Sequence, residues 1–324
     1  MPLMCTSFEP GQMDAAIASI TDEDSRAIAQ AEAFLYCGRE KEAVETAQPY
    51  LEFEDPALRY SACLICGYAN IGLNSIPEAR ACLLVLIGKN NADEDPVTHA
   101  AHILFALAAS VLLHLPSPYT REDFFPYAAL LPEGLRLFAS YIISHAFYLH
   151  AEYGRCVGSA ENALIMKQGS YPISELFLLL VTAMGYISLK EIDHAKRSFG
   201  VAWEIAHADD LIEPIGMHHG LLQGLIEISL KQLHPAEFAR IIDITYRFSY
   251  GWRRIHNPAS GEDVADNLTT TEFTIAMLAC RNWTNTEIAQ HMGISAGTVK
   301  NRLSSAYSKL GISSRAELVP RMLR

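Results

Sequence analysis

Residues 287–303 read EIAQHMGISAGTVKNRL. Ile288, Ala289 and Met292 recur at helical spacing up to Gly293, a residue suited to the left-handed position just past a helix end. Ser295 then offers an N-cap, and Val299 and Leu303 carry the apolar stripe into a second helix. Ala289 is small where the second helix must cross, and Ile294 and Val299 plug the space between the two. Small residue, three residues, glycine, five residues, valine is the spacing a helix-turn-helix needs.

The flanking punctuation widens this pair to four helices. Thr269-Thr-Thr-Glu272 is a capping box, hydroxyl and carboxylate each satisfying an amide at a helix start. The helix it opens puts Ile275, Ala276, Leu278 and Ala279 on one face and ends near Asn282. Thr284-Asn-Thr-Glu287 is a second box. From Ser295 the third helix runs to about Leu310, burying Val299, Leu303, Tyr307 and Leu310, and Gly311 ends it. Ser314-Arg-Ala-Glu317 is a third box, opening a final short helix over Ser314 to Leu323. Three boxes in register with apolar stripes of period 3.6 make a strong combined signal.

Charge separates this end from the rest. The chain of 324 residues carries −12 overall. From Leu268 onward seven Lys and Arg against three acids leave +4, so the first 267 residues hold −16. An acidic body with a basic end is the asymmetry expected when one module alone meets phosphate.

The stretch from Leu268 to about Val319 resembles the DNA-binding domain of the LuxR-type response regulators and quorum sensors. The shared run is LT-x2-E, TNTEIA, GIS-x2-TVKN and KLGISSRAEL. The resemblance covers about a sixth of the chain. It implies a four-helix module that dimerises, often through its last helix, and binds inverted-repeat sites in double-stranded DNA near promoters, with RNA polymerase a candidate partner. Carried over, Lys300 and Asn301 face base edges from the recognition helix, with Ser304 one turn further on the same side. Thr298, Arg302 and Lys309 look towards phosphate. A lysine can donate to guanine O6 and N7, an asparagine can pair with adenine, and hydroxyl and cationic side chains fix register on the backbone. Three positions depart from the family pattern. Arg302 replaces a common histidine and Thr270 a common proline, while Asn282-Trp283 stands where Gly-Leu is usual. Arg302 adds charge for phosphate, and Trp283 is expected at a surface or interdomain contact.

Helical periodicity dominates the first 255 residues, with no alternating run that reads as a strand. Breakers at Gly38-Arg39, residues 74–77, residues 116–118, residues 169–172 and His234-Pro235 separate amphipathic segments. Several segments repeat a small or aromatic cluster, a short polar break and an alanine opening the next helix. Ala183-Met-Gly-Tyr186 followed by Leu189 to Ala195 and Phe199-Gly-Val-Ala202 is the clearest, and others lie at Ala31 to Ala43 and Gly67 to Ala79. These segments resemble tetratricopeptide repeats, helix hairpins in which small residues allow close approach and Tyr186 and Phe199 fill grooves. No copy has the early Trp of that pattern, and the period wanders. Such stacks make a concave surface for a peptide, a protein or a small ligand. Residues 256–267, HNPASGEDVADN, read as a polar linker where the charge changes sign.

Other functions find little support. No phosphate loop, GxSxG or HExxH occurs, and no paired acids are set for glycoside chemistry, so no catalytic constellation or cofactor site is expected. Seven scattered cysteines suit reduced thiols, and the single CxxC of Cys63 and Cys66 lies in an apolar helical pattern. His99 with His102, and His218 with His219, read as polar helix positions, not metal ligands. The apolar runs fall short of the ~20 residues of a membrane span, and the start MPLMCTSFEP has no signal-peptide pattern, so a cytoplasmic protein without membrane contact is expected. The expected fold is all-α: a tetratricopeptide-like solenoid over 1–255, a linker over 256–267, and a LuxR-type four-helix domain over 268–324. The expected function is a non-enzymatic, sequence-specific DNA-binding transcriptional regulator, a homodimer on DNA, controlled by an unknown ligand or protein at the helical domain. The alternative is a helical-repeat scaffold whose terminal helices dock a protein. The polar reader face disfavours it, since a docking face should show apolar anchors.

Overall fold

The structure, a computed structural model, describes residues 1–88, 95–256 and 268–318. Among the described residues every regular element is helical. Counting only helices of eight residues or more, the order is α1 (Glu23–Tyr36), α2 (Glu40–Ala47), α3 (Pro56–Gly72), α4 (Ile76–Leu86), α5 (Pro96–Leu113), α6 (Glu133–Leu149), α7 (Tyr153–Met166), α8 (Pro172–Ser188), α9 (Ile192–Ala208), α10 (Pro235–His256), α11 (Thr270–Cys280), α12 (Asn285–Met292) and α13 (Ala296–Leu310). The linker expected over 256–267 lies outside the described residues, apart from His256 at the end of α10.

Four hairpins, α1/α2, α3/α4, α6/α7 and α8/α9, are joined by one and the same turn. Gly38, Asn74, Ala151 and Lys190 sit at positive φ of 72°, 58°, 58° and 64°. At each, three successive amides cap the preceding helix, as in Leu189 N to Gly185 O, Lys190 N to Ile187 O and Glu191 N to Tyr186 O. This is how a helix end satisfies its orphan carbonyls with one left-handed residue. The expected close approach of small residues is present too: a Cβ on Gly185 would stand 2.6 Å from Val157 of the neighbouring hairpin. Phe199 is fully buried, while half-buried Tyr186 donates its hydroxyl to Glu161.

Two features were not foreseen. First, the inner face made by the leading helices is occupied by the chain's own start. The short helix Pro2–Cys5 packs on α1, α6 and α8. The buried Glu32 carboxylate accepts from the amides of Leu3 and Met4 at 2.9 and 3.0 Å. Burial pushes that carboxyl up to about 7, against the nearby amino terminus and the two amides. Second, α10 turns back across α3, α4 and α5. Arg247 pairs with Glu40 and Asp243, and Arg254 donates to Asn74, so these arginines brace the stack. Helix α5 is long and apolar enough to cross a bilayer by length and composition alone, yet it packs among α3, α4, α6 and α10 with most of its residues buried.

The α10–α3 crossing rests on one missing side chain. A Cβ on Gly251 would lie 2.0 Å from the backbone oxygen of Ile71. In an open helix Gly→Ala stabilises by up to ~1 kcal/mol. Here Gly251→Ala is expected to destabilise by about 1–3 kcal/mol through forced separation of the helices. Thermal melts followed by circular dichroism check the sign, and an unchanged or raised midpoint would refute the tight crossing.

Candidate nucleic-acid interface

The terminal module forms from its caps inward. Thr269 accepts from Glu272 N while Glu272 accepts from Thr269 N at 2.8 Å, and Thr284 and Glu287 repeat the exchange. Ser295 Oγ accepts from Thr298 N at 3.0 Å. Gly293 and Gly311 take the left-handed conformation, at φ 64° and 63°. Val299, Leu303, Ala306 and Leu310 are buried along α13, with Tyr307 half-buried. The third box forms differently. Ser314 donates its hydroxyl to Glu317 instead of accepting an amide, and Arg315–Glu317 is a 3-10 turn. The rest of the expected last helix, from 319 on, lies outside the described residues.

Helix α11 is buried nearly all round, including Thr274, Met277 and Cys280 outside its expected apolar face. The cause is a second neighbour. Besides α13, it packs on the short helix His219–Leu222 of the stack. A helix covered on both sides needs no polar face.

The sequence-predicted contact residues fall on two sides of α13. Lys300, Asn301 and Ser304 project outward, opposite the buried stripe, and all are exposed. Among the described residues none of the three side chains has a hydrogen-bonding or charged partner. Arg302 is likewise exposed and unpaired, on the flank shared with Thr298 and Lys309. The Thr298 hydroxyl shares a 2.8 Å hydrogen bond with Ser295. Lys309 stands apart, because its ammonium donates to Glu272 at 2.7 Å and ties α13 to α11.

Glu272 therefore does two jobs: it closes the cap of α11 and receives Ser305 and Lys309 from α13. Burial alone would raise its pKa, but the Lys309, Thr269 and Ser305 hydrogen bonds outweigh that and hold it at about 2.

The module sits on the stack through side chains that the sequence reading did not assign to such a contact, Trp283 excepted. Arg281 donates to the hydroxyls of Tyr148, Tyr153 and Ser188, with its guanidinium over both tyrosine rings. Trp283 is buried, with the Lys190 ammonium 5.4 Å from its ring centre, so of the surface or interdomain position expected for it the structure shows a contact with the stack. Lys190 also pairs with Glu287. His291 Nε2 donates to Gln223 O at 2.7 Å, and burial lowers its pKa. Asn282, at φ 62°, repeats the three-bond turn of the hairpins just before this contact.

Elsewhere, possible ligands for metal are sparse. Among the described residues His207, His234 and Glu237 bring one donor atom each within 4.8 Å of one another, partly exposed and one short of a structural zinc set. His102 Nε2 donates to Leu86 O, His218 meets Tyr141 and Pro214 O, and His219 pairs with Glu227, so these histidines serve the helices around them. Cys63 and Cys66 are buried, and burial pushes the Cys63 thiol up to about 12.

An all-α stack carrying a helix-turn-helix with an exposed polar face is the class these features define. Residues 266–322 match the family described as bacterial regulatory proteins, luxR family. Over 57 residues the chain is 42% identical to the probable transcriptional regulatory protein SgaR of Hyphomicrobium methylovorum, a stretch covering 18% of this chain and 27% of that protein. The chain thus spans about a quarter of the length of this relative. No solved structure matches the chain. The terminal module is a LuxR-type helix-turn-helix domain.

A depressed carboxyl stabilises the fold above its unfolded pKa and loses that contribution as pH falls through the folded value. Glu272→Gln is expected to cost about 1–3 kcal/mol at neutral pH. The gap between variant and wild type should close as pH falls from the ordinary 4.5 towards 2. Denaturant unfolding at several pH values measures it, and a gap that is independent of pH would exclude this role for Glu272.

Proposed function

We propose that this protein is a sequence-specific DNA-binding transcriptional regulator that inserts α13 into the major groove of double-stranded DNA. The observation that carries the reading is the exposed face of Lys300, Asn301 and Ser304 on a helix whose opposite face is buried. Side chains with unused donors can take base edges without first breaking an internal bond. Thr298 and Arg302 flank that face and would hold phosphates, with Lys309 at the far end able to join them if it leaves Glu272. The likeness to a protein described as a probable transcriptional regulator supports the same reading. A face without apolar anchors is a poor site for docking a protein.

Binding would be as a homodimer on a two-fold site, since one such helix reads only a few base pairs. RNA polymerase is a candidate partner at the promoter. The helical stack would receive the controlling ligand or protein, and its contacts with Arg281, Trp283 and His291 are the path by which it could act on the module. Those contacts leave the α13 outer face clear, so control would run through the module's orientation, not through masking of its reader.

DNA fragments retained by the full-length protein supply the operator for the test. In fluorescence anisotropy, Lys300→Ala should weaken operator binding by about 1–3 kcal/mol and relax base preference. Arg302→Ala should weaken all sequences alike and reduce the salt slope by about 1. Equal binding by Lys300→Ala and wild type at every salt concentration would reject α13 as the reader.

A further inference from the structure

The end of α9 and the start of α10 meet beside the short helix Leu225–Leu230, which packs on both. Two sets of side chains cross between them. In the first, Arg240 donates from both terminal nitrogens to the two carboxylate oxygens of Asp210, at 2.8 and 2.7 Å. The second lies one turn earlier in each segment, where His207 of α9 faces Glu237 of α10, with His234 just ahead of α10 beside them. Each of these three side chains brings one donor atom within 4.8 Å of the other two. His207 Nε2 and Glu237 Oε1 stand 3.9 Å apart, too far for a hydrogen bond. Trp203, buried one turn before His207, centres its ring 5.0 Å from that of His207 and 4.9 Å from that of His234. The two imidazoles are 5.3 Å apart. An ion pair of His207 with Glu237 would leave His234 without a part in it.

We propose that His207, His234 and Glu237 bind a divalent transition-metal ion of the Zn²⁺ class, with water completing its coordination. Two imidazoles and one carboxylate suit Zn²⁺ and its first-row neighbours, and they suit Mg²⁺ and Ca²⁺ poorly, since those ions take oxygen ligands. One ligand short of a closed structural set, the site leaves a position for water on the solvent side. Bonds of ~2.0 Å around a tetrahedral ion place its ligand atoms about 3.3 Å apart, so the three donors must close by up to about 1.5 Å. All three side chains are exposed or half-buried, and rotation about their own bonds supplies that movement without shifting the helices. The metal takes neutral imidazole and ionised carboxylate, so any proton carried by these groups passes to solvent on binding.

Neighbouring contacts hold the ligands in place beforehand. The Arg240–Asp210 pair fixes the spacing of the two segments one turn away. Arg240 also faces Glu237, but both its terminal nitrogens are committed to Asp210, which leaves the Glu237 carboxylate to the metal. Asp209 accepts from the amides of Gly11 and Met13 at 2.7 and 3.1 Å, which anchors the chain just past α9. His234 donates its own amide to Leu230 O at 2.7 Å, so its backbone is fixed against the short helix. Trp203 covers one side of both imidazoles and limits their tilt, as the apolar surround of a metal site does. An ion here joins the end of α9, the connection ahead of α10 and the first turn of α10. Those three segments come together only in the folded chain, so the ion would stabilise the stack against unfolding.

Full-length protein freed of metal with EDTA, then titrated with ZnCl₂ in a calorimeter and with CoCl₂ by optical absorption, tests the site. Saturable one-to-one binding of Zn²⁺ is expected, and Co²⁺ should give visible d–d bands without a thiolate charge-transfer band. Loss of a partner that only orients a metal ligand costs about 10- to 100-fold in affinity, so His207→Ala, His234→Ala and Glu237→Ala should each cost about 100-fold or more. MgCl₂ in ~1000-fold excess over Zn²⁺ should not compete. Zn²⁺ should also raise the thermal midpoint of wild type by more than that of His207→Ala, a comparison in which all seven cysteines are common to both proteins. Far-UV circular dichroism identifies any variant that fails to fold, and the remaining variants then decide. No binding by wild type, unaltered affinity in a folded variant, displacement by Mg²⁺, or a thiolate band on cobalt overturns the site. Binding without the larger rise in midpoint overturns the stabilising role while the site stands.

Discussion

A helix that ends on a single left-handed residue can cap its last carbonyls with the three amides that follow, and the next helix then leaves in a fixed direction. Gly38, Asn74, Ala151 and Lys190 each make this turn in the stack, and Asn282 makes it once more in the module. Glycine adopts it freely and asparagine at small cost, whereas alanine and lysine pay roughly 1 kcal/mol each. That cost is borne because the helices on either side are buried against one another along their length. The constancy of the turn makes the first helix of every hairpin face the same axis. Everything at the centre follows from this convergence: the helix Pro2–Cys5 held by Glu32, and the aromatic cluster of Tyr36, Phe138 and Phe177.

The junction between stack and module is built from a different kind of contact. Lys190 and Glu287 form a half-exposed ion pair, which in water contributes little. Arg281 spreads its charge over two tyrosine hydroxyls, a serine hydroxyl and two ring faces. Trp283 and Met292 supply the apolar area beside it. Hydrogen bonds to a charged group inside a partly buried site are directional, so the junction sets an angle as well as an affinity. If the protein binds as the proposed dimer, a junction that sets an angle would serve it, because two recognition helices would have to meet the groove one turn apart.

The module was legible in the sequence because its caps, turn and stripe are all local. Thr269 with Glu272, Thr284 with Glu287, Ser295 and Gly293 each act within four residues of themselves, and each forms as read. The repeat character of the stack was legible for the same reason, since its turns recur in register. Long-range chemistry was not. Glu272 read as a cap, and its bond to Lys309 becomes visible only when α13 lies on α11. Glu32 sits between Ala31 and Ala33 like any solvated glutamate, and its partners are the amides of residues 3 and 4. Arg281 counted only as one positive charge. Its real signal was the neighbouring Asn282-Trp283, an unusual pair whose turn and ring both serve the junction.

The charge split acquires a geometric meaning once the module is seated. The stack and its linker hold −16 and the module +4. At physiological salt, screening confines each field to about 8 Å, so a phosphate senses only the surface directly before it. Lys300 and Arg302 are exposed on α13 and would be presented to DNA on the proposed reading, while an approach from the body's side would meet like charge. Non-specific binding depends almost wholly on cations reaching phosphate in any orientation. On the proposed reading, an acidic body would disfavour most of those orientations and leave the one in which Lys300, Asn301 and Ser304 would face bases. The acidity of the body would therefore act against indiscriminate binding, and it would leave the proposed base-reading approach as the least repelled.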